Sequence, residues 1–227
     1  QIELSEGSVI YTFEQLNGRG QRGNTWESEP LKNVALSLVL YPKFLTVEKQ
    51  FLLTKITSLA VADLMAEMLE DSINPKKIRI KWPNDIYVDD KKIAGILIEN
   101  TLKEASIQSS VIGIGINVNQ RDFFSGNATS LVLHSDKEFE LMQVIERLCE
   151  FLEARYLQLK ANKLESLDNA YLERLYRFEE WGIYKSVEET FEGKIKGVSK
   201  IGKLQMEIRT GEIKEFDLKE ISFAGNV

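Results

Sequence analysis

Residues 81–99 read Lys81-Trp82-Pro83-Asn84-Asp85-Ile86-Tyr87-Val88-Asp89-Asp90-Lys91-Lys92-Ile93-Ala94-Gly95-Ile96-Leu97-Ile98-Glu99. A lysine, an amide and a carboxylate surround a Trp-Pro bend. Two more lysines follow a pair of aspartates, and an apolar run broken by one glycine closes the stretch. Turn residues at 83–85 and 89–91 divide it into three short predicted strands, 78–82, 86–88 and 93–99. As a bare surface turn, its lysines would simply face water. Gly95 argues for more, because a glycine inside an apolar strand marks close approach of a ligand or another backbone. Gly113 and Gly115 repeat the feature in the next apolar run, 107–119, beside Asn117. Three strand glycines next to polar strand ends fit a small-molecule pocket floored by sheet, with Trp26 and Trp82 as either its walls or core.

Outward from this centre, 9–13 and 34–41 read as strands by their β-branched and apolar content. Between 46 and about 71, Phe51, Leu52, Ile56, Leu59, Ala60, Leu64, Met65, Met68 and Leu69 recur at helical spacing. That pattern predicts a long amphipathic helix with Thr46 as N-cap and Pro75 beyond its end. Residues 121–130 form a polar loop, and 139–159 and 164–176 are helical by apolar spacing. From Gly182 onward, short alternating segments are divided by Gly193, Gly197, Gly202 and Gly211. They predict a small β-barrel or sandwich of about fifty residues, a separate C-terminal unit.

At 227 residues, 43% apolar and 28% charged, the chain has ample material for a packed core. A formal net charge of −6 argues against a general nucleic-acid or anionic-membrane binder. Any phosphate affinity must therefore come from a local cluster. Cys149 is the only cysteine, so there is no intramolecular disulfide and no CxxC metal site, and its helical context suits an inert core thiol. His134 is the only histidine, which removes a His-rich zinc site; its place near a loop predicts surface exposure. No apolar run approaches the ~20 residues of a membrane span and no signal peptide opens the chain, so a cytoplasmic location is expected.

Gly18-Arg19-Gly20-Gln21-Arg22-Gly23 matches the dinucleotide fingerprint in letters but not in context, since that motif opens a helix and another strand follows here. What remains is a strand-to-strand loop with glycines and two arginines, suited to a phosphate or carboxylate.

Taken together, Gly-Arg-Gly-x-Arg-Gly-x-x-Trp at 18–26, Lys-Trp-Pro-Asn-Asp at 81–85, Lys-Ile-Ala-Gly-Ile-Leu-Ile-Glu at 92–99, Gly-Ile-Gly-Ile-Asn at 113–117 and Ala-Thr-Ser-Leu at 128–131 resemble biotin–protein ligase in order and spacing. The resemblance covers nearly the whole chain. It implies an α+β fold, a mixed sheet flanked by helices of the class II synthetase-like biotin/lipoate ligase type. A catalytic domain over 1–178 and an SH3-like β-barrel over 179–227 are expected. It also implies an ATP-dependent enzyme that forms biotinyl-5′-AMP and passes biotin to a lysine of a biotin carboxyl carrier protein or domain, with magnesium accompanying ATP.

By the same resemblance Lys92 is the central lysine, meeting the biotin carboxylate and the α-phosphate, and Asp85 is a base or orienting group for the incoming lysine. Gln15, Gly18, Arg19, Gly20, Gln21 and Gly95 belong to the biotin side. Arg22, Asn24, Trp26, Lys81, Asn84 and Asn117 belong to the ATP side, with Trp26 stacking on adenine. Asn117 is placed near the nucleotide or its magnesium, and the metal ligands themselves are left unknown. Some family members dimerise through the edge of the catalytic sheet, and the sequence leaves a homodimer open.

Three departures stand out. Gln21 and Asn24 occupy positions where many members carry arginine, and losing a guanidinium at 21 predicts faster escape of the adenylate unless Arg22 compensates. The family's Ser-Thr-Asn segment has no counterpart, so the given chain is expected to begin inside the fold. No helix-turn-helix precedes the catalytic region, so a monofunctional type without DNA binding is expected. Two other readings stay open: a lipoate–protein ligase, and a non-catalytic biotin- or nucleotide-binding module.

Overall fold

The computed structural model describes residues 4–15, 17–21, 25–135, 137–187, 189–218 and 220–224. In chain order the first part forms β1 (Val9–Thr12), β2 (Gly18–Arg19), β3 (Thr25–Trp26), β4 (Val34–Leu40), α1 (Phe51–Met68), β5 (Ile78–Lys81), β6 (Asp85–Val88), β7 (Lys91–Lys103) and β8 (Ser106–Ile116). Helices α2 (Leu141–Lys160) and α3 (Leu164–Arg174) follow. The chain then forms β9 (Trp181–Ser186), β10 (Thr190–Val198), β11 (Leu204–Ile208), β12 (Ile213–Phe216) and β13 (Ile221–Phe223).

Six strands make the central sheet in the order β1-β4-β8-β7-β6-β5. The fold is α+β, but where a mixed sheet was expected, each of these neighbouring pairs runs antiparallel. Side chains alternate between the two faces of a strand, so register sorts residues into two sets. Val34, Leu36, Leu38, Ile112, Ile114, Ile116, Ile96, Ile86 and Ile80 share one face and are buried, under α1, α2 and α3. The opposite face carries Ala35 and Ser37 on β4, Gly113 and Gly115 on β8, and Gly95 on β7, in matched register. Of the three predicted short strands, the third extends to thirteen residues as β7 and forms a long hairpin with β8.

The helix predicted from 46 differs in two respects. Thr46 leads only into a 3-10 turn, Val47–Lys49, and makes no side-chain capping bond. The reason is tertiary: Thr46 bridges to Ser106, and Val47 N–H donates to Ala105 O at 3.1 Å, tying this segment to the β7–β8 turn. Nor is α1 amphipathic in the usual sense. From Leu53 to Met65 only Thr54 and Asp63 escape burial among thirteen consecutive residues. Even Lys55 is buried, with Nζ 2.7 Å from Asp168. Sheet lies on one side of α1 and helices α2 and α3 on others. A helix surrounded in this way has no water-facing stripe to fill with charge.

The C-terminal strands form a five-stranded antiparallel sheet in the order β12-β11-β10-β9-β13. It is an open sheet rather than the closed barrel expected, because β12 and β13 stand at opposite edges and do not pair. Its inner residues Tyr184, Ile195, Leu204, Met206 and Phe216 join the same contiguous core as the central sheet. Trp82 is part of that junction: it is 4% exposed, and its Nε1–H donates to Gly202 O at 3.0 Å. No described helix is long and apolar enough to cross a membrane.

Candidate active site

The small-residue face of the central sheet floors a cavity of about 620 Å³. The β2–β3 hairpin leans over it, pairing Gly18 with Trp26 and Arg19 with Thr25. Gly18 has no room for a side chain: a Cβ there would lie 2.5 Å from Trp26 O and 2.9 Å from Trp26 Cβ. The Trp26 indole in turn rests on the floor glycines. A Cβ on Gly115 would sit 2.6 Å from its ring, and one on Gly95 would sit 3.1 Å from it. Bare backbone at these two positions is thus a seat for an aromatic wall. Gly113 differs, since its nearest neighbour would be Leu97 O at 3.4 Å, and it faces open cavity.

Beside this wall, Lys92 Nζ lies 2.6 Å from Asp85 Oδ1, with both side chains partly buried at 32% and 23% exposure. The same ammonium is 5.6 Å from the centre of the Trp26 ring. Its placement depends on an irregularity. Strict alternation would put Lys91, not Lys92, on the face of Gly95. The register shifts from Ile86↔Ala94 to Tyr87↔Lys92, leaving Ile93 as the extra residue of a bulge. A bulge of this kind re-aims a side chain, and here it turns Lys92 to the cavity. Backbone bonds from a returning segment hold it: Lys92 N–H to Asn127 O at 2.9 Å and Thr129 N–H to Lys92 O at 2.8 Å.

Of the residues expected on the biotin side, Gln15, Arg19, Gly20, Gln21, Lys92 and Gly95 line the cavity, while Gly18 supports the hairpin behind it. Arg19 reaches across toward Glu99, with Nη2 4.0 Å from its carboxylate. On the ATP side, Trp26 and Asn84 line the cavity. Arg22 and Asn24 lie outside the described residues. Asn117 is buried and does not line the cavity, donating from Nδ2 to Thr129 O at 2.9 Å. Its Oδ1 is buried without a hydrogen-bond partner among the described residues. Lys81 shares the strand face of Asp85, its register partner, but does not line the cavity.

The cavity also uses Glu99, which ends the 92–99 motif, and Ile10, Thr12, Ala35, Ser37 and Leu218, none of which stood out in the sequence. For Ala35 and Ser37 a signal was available: small residues at every second position of an apolar strand. Leu218 arrives from the C-terminal part, and no local pattern announces it. Tyr87, opposite Lys92, has its hydroxyl pushed above its ordinary range by burial first and then by the Asp85 charge.

His134 is half-buried rather than surface-exposed, and its Nε2 lies 2.9 Å from Thr129 Oγ1. Burial lowers its pKa. Cys149 is partly buried against the core, and burial raises its thiol pKa. Among the described residues no group of three His, Cys, Asp or Glu side chains could hold a metal ion.

A glycine-floored antiparallel sheet, an overhanging Gly-Arg-Gly hairpin and a bulge-mounted lysine together enclose a cavity of small-molecule size. The sequence model described as "Biotin/lipoate A/B protein ligase family" matches residues 1–117, and the chain belongs to that family. It is 30% identical over 216 residues to the bifunctional ligase/repressor BirA of Bacillus spizizenii, covering 91% of this chain and 63% of that protein. It is 33% identical over 115 residues to the biotin--[acetyl-CoA-carboxylase] ligase of Paracoccus denitrificans, covering 51% of this chain and 46% of the relative. The chain spans only about half the length of several curated relatives it matches. In three dimensions it is similar to the biotin protein ligase from Aquifex aeolicus in complex with biotin and ATP. There the TM-score is 0.81 at 26% identity, covering 100% of this chain and 92% of the other.

Proposed function

We propose that this protein is an ATP-dependent biotin–protein ligase. In the first step the biotin carboxylate oxygen attacks the α-phosphorus of ATP. The bond to the β-phosphate oxygen breaks, and pyrophosphate leaves with the electron pair, giving biotinyl-5′-AMP. In the second step a lysine amine of a carrier domain attacks the acyl carbon. AMP departs and the amine loses one proton, leaving biotin in amide linkage.

The observation that carries this reading is the Lys92–Asp85 pair at the foot of the Trp26 wall. Bringing a carboxylate onto a phosphate joins two anions, and a fixed ammonium between them lowers that barrier. Asp85 pairs with the ammonium at 2.6 Å, lines the cavity and is assigned to the incoming amine as base or orienting group. Gln15, Gly18, Arg19, Gly20, Gln21 and Gly95 are assigned to biotin, with hydrogen bonding from Gln15 and closure by the glycine-arginine loop. Arg22, Asn24, Trp26, Asn84 and Asn117 are assigned to the nucleotide. Magnesium is assigned to the phosphates of the incoming ATP, where it typically keeps several waters. The acceptor is a biotin carboxyl carrier protein or domain, a reading supported by the names of the Paracoccus and Mycobacterium tuberculosis relatives.

Biotin-dependent pyrophosphate exchange with ATP tests the assignment, run in parallel with lipoate and with Lys92→Ala. Exchange with biotin, little with lipoate and a loss of at least ~100-fold in Lys92→Ala are expected, the scale of removing a charge-stabilising group. Absence of exchange with biotin would refute the ligase reading. Full activity of Lys92→Ala would refute the role of that lysine.

A further inference from the structure

We propose that Lys81 is a positioning residue whose ammonium clasps the C-terminal sheet to the central sheet and so seats Leu218 on the cavity wall. This rests on the ligase reading for its catalytic consequence, but not for its structural one.

The surroundings of Lys81 are aromatic rather than anionic. Its Nζ lies 4.6 Å from the ring centre of Tyr87, 4.8 Å from that of Phe223 and 5.9 Å from that of Tyr176. It donates one hydrogen bond, to Tyr87 Oη at 3.1 Å. No carboxylate pairs with it within 4.0 Å among the described residues. The three rings come from three places: β6, the segment after α3, and β13. They also touch one another, Tyr87 with Tyr176 at 5.6 Å and Tyr176 with Phe223 at 5.8 Å. An ammonium shared among ring faces is held by their quadrupoles, and more strongly when water is partly excluded. Burial does lower the Lys81 pKa, against the opposing pull of the Asp85 charge.

The geometry favours a clasp over a phosphate ligand. Lys81 is absent from the cavity lining, whereas Leu218, five residues before Phe223, belongs to it. Tyr87 connects the clasp to the reacting groups. It pairs in register with Lys92, and its Oη lies 3.4 Å from Asn127 Nδ2, the residue whose carbonyl accepts from Lys92 N–H. Release of Phe223 therefore frees a wall of the cavity and slackens the support of Lys92.

The test compares Lys81→Met, Lys81→Arg, Phe223→Leu and the Met/Leu double variant of the whole chain. Leucine keeps apolar bulk without a π face, and arginine keeps a charge that stacks on rings. Amide hydrogen exchange of peptides covering Leu218 and β13 reads the clasp directly. Each of Lys81→Met and Phe223→Leu is expected to open this segment by roughly twofold to thirtyfold, the range of a partly desolvated cation–π contact. The double variant should open it no more than the stronger single, and Lys81→Arg should stay near wild type.

Pyrophosphate exchange should follow the same order, with both single variants raising the KM for ATP together. Unchanged protection in either single variant, or effects that multiply in the double, overturns the proposal. So does a rise in KM for ATP in Lys81→Met with none in Phe223→Leu, which makes Lys81 a phosphate ligand. If wild type shows no biotin-dependent exchange, the ligase reading fails while amide protection still decides the clasp.

Discussion

Substituting Gly115 by alanine should disable the site without unfolding the protein. The added Cβ would lie 2.6, 2.8 and 2.9 Å from three atoms of the Trp26 indole. These are atoms of a rigid ring, not the free end of a flexible chain, so the ring or the strand must move. Overpacking of this kind costs about 1–3 kcal/mol. The strand sits in the middle of a six-stranded sheet, whereas Trp26 is held by a hairpin only two residues long on each side. The strain is therefore relieved by lifting the hairpin.

If the whole penalty falls on hairpin closure, affinity drops by roughly fivefold to 150-fold, at about 1.4 kcal/mol per decade. Biotin and nucleotide binding by calorimetry measures this. Tryptophan emission reports the ring itself, with Trp26→Phe subtracting the signals of Trp82 and Trp181. Gly113→Ala is the control, since its methyl would meet nothing closer than Leu97 O at 3.4 Å. It should leave the Trp26 signal unchanged. Wild-type emission and affinity in Gly115→Ala, or an equal emission change in Gly113→Ala, would refute the reasoning.

Other expectations follow from single contacts. Gln21→Arg adds a guanidinium on the cavity wall and should slow adenylate release by about tenfold or more, the scale of one charge-assisted bond; a slow wild-type rate unchanged by the substitution counts against it. Gly202 has φ +94° and its Cβ would meet Phe51 at 2.7 Å, so Gly202→Ala should cost roughly 1–3 kcal/mol, read as a lowered denaturant midpoint. For His134, whose folded pKa is lowered from 6.5 chiefly by burial, the unfolded chain binds the proton more readily. Its neutral form thus supports the fold at neutral pH, and stability falls as pH drops from 6.5 through the folded value. His134→Gln should flatten that acid limb in urea melts across pH 7 to 5.

Much of the architecture was legible before any coordinates. The strands at Val34–Leu40 and Ser106–Ile116 emerged from runs of apolar residues, and the helices at Leu141–Lys160 and Leu164–Arg174 from apolar spacing, because burial on one face of a helix writes its own repeat. The helix start failed because Thr46, a good N-cap residue in isolation, is bound to Ser106 some sixty residues away. The closed barrel failed because pairing of edge strands leaves no local trace. Leu218 and Phe223 were invisible for the same reason: they reach the site through the folding of a distant sheet.

The sequence by itself determined the glycine floor, the arginine-bearing hairpin and the presence of a lysine two residues past an Asp-Asp turn, since these are properties of residue type and order. The motif resemblance singles out Lys92 over Lys91, and tertiary structure supplies the backbone register that turns Lys92 to the cavity. Parity along β7 would give the cavity Lys91. The bulge at Ile93, held by Asn127 and Thr129 from a later loop, reverses that parity and delivers Lys92. A backbone register is a cooperative choice among several chain segments, so no one of them encodes it.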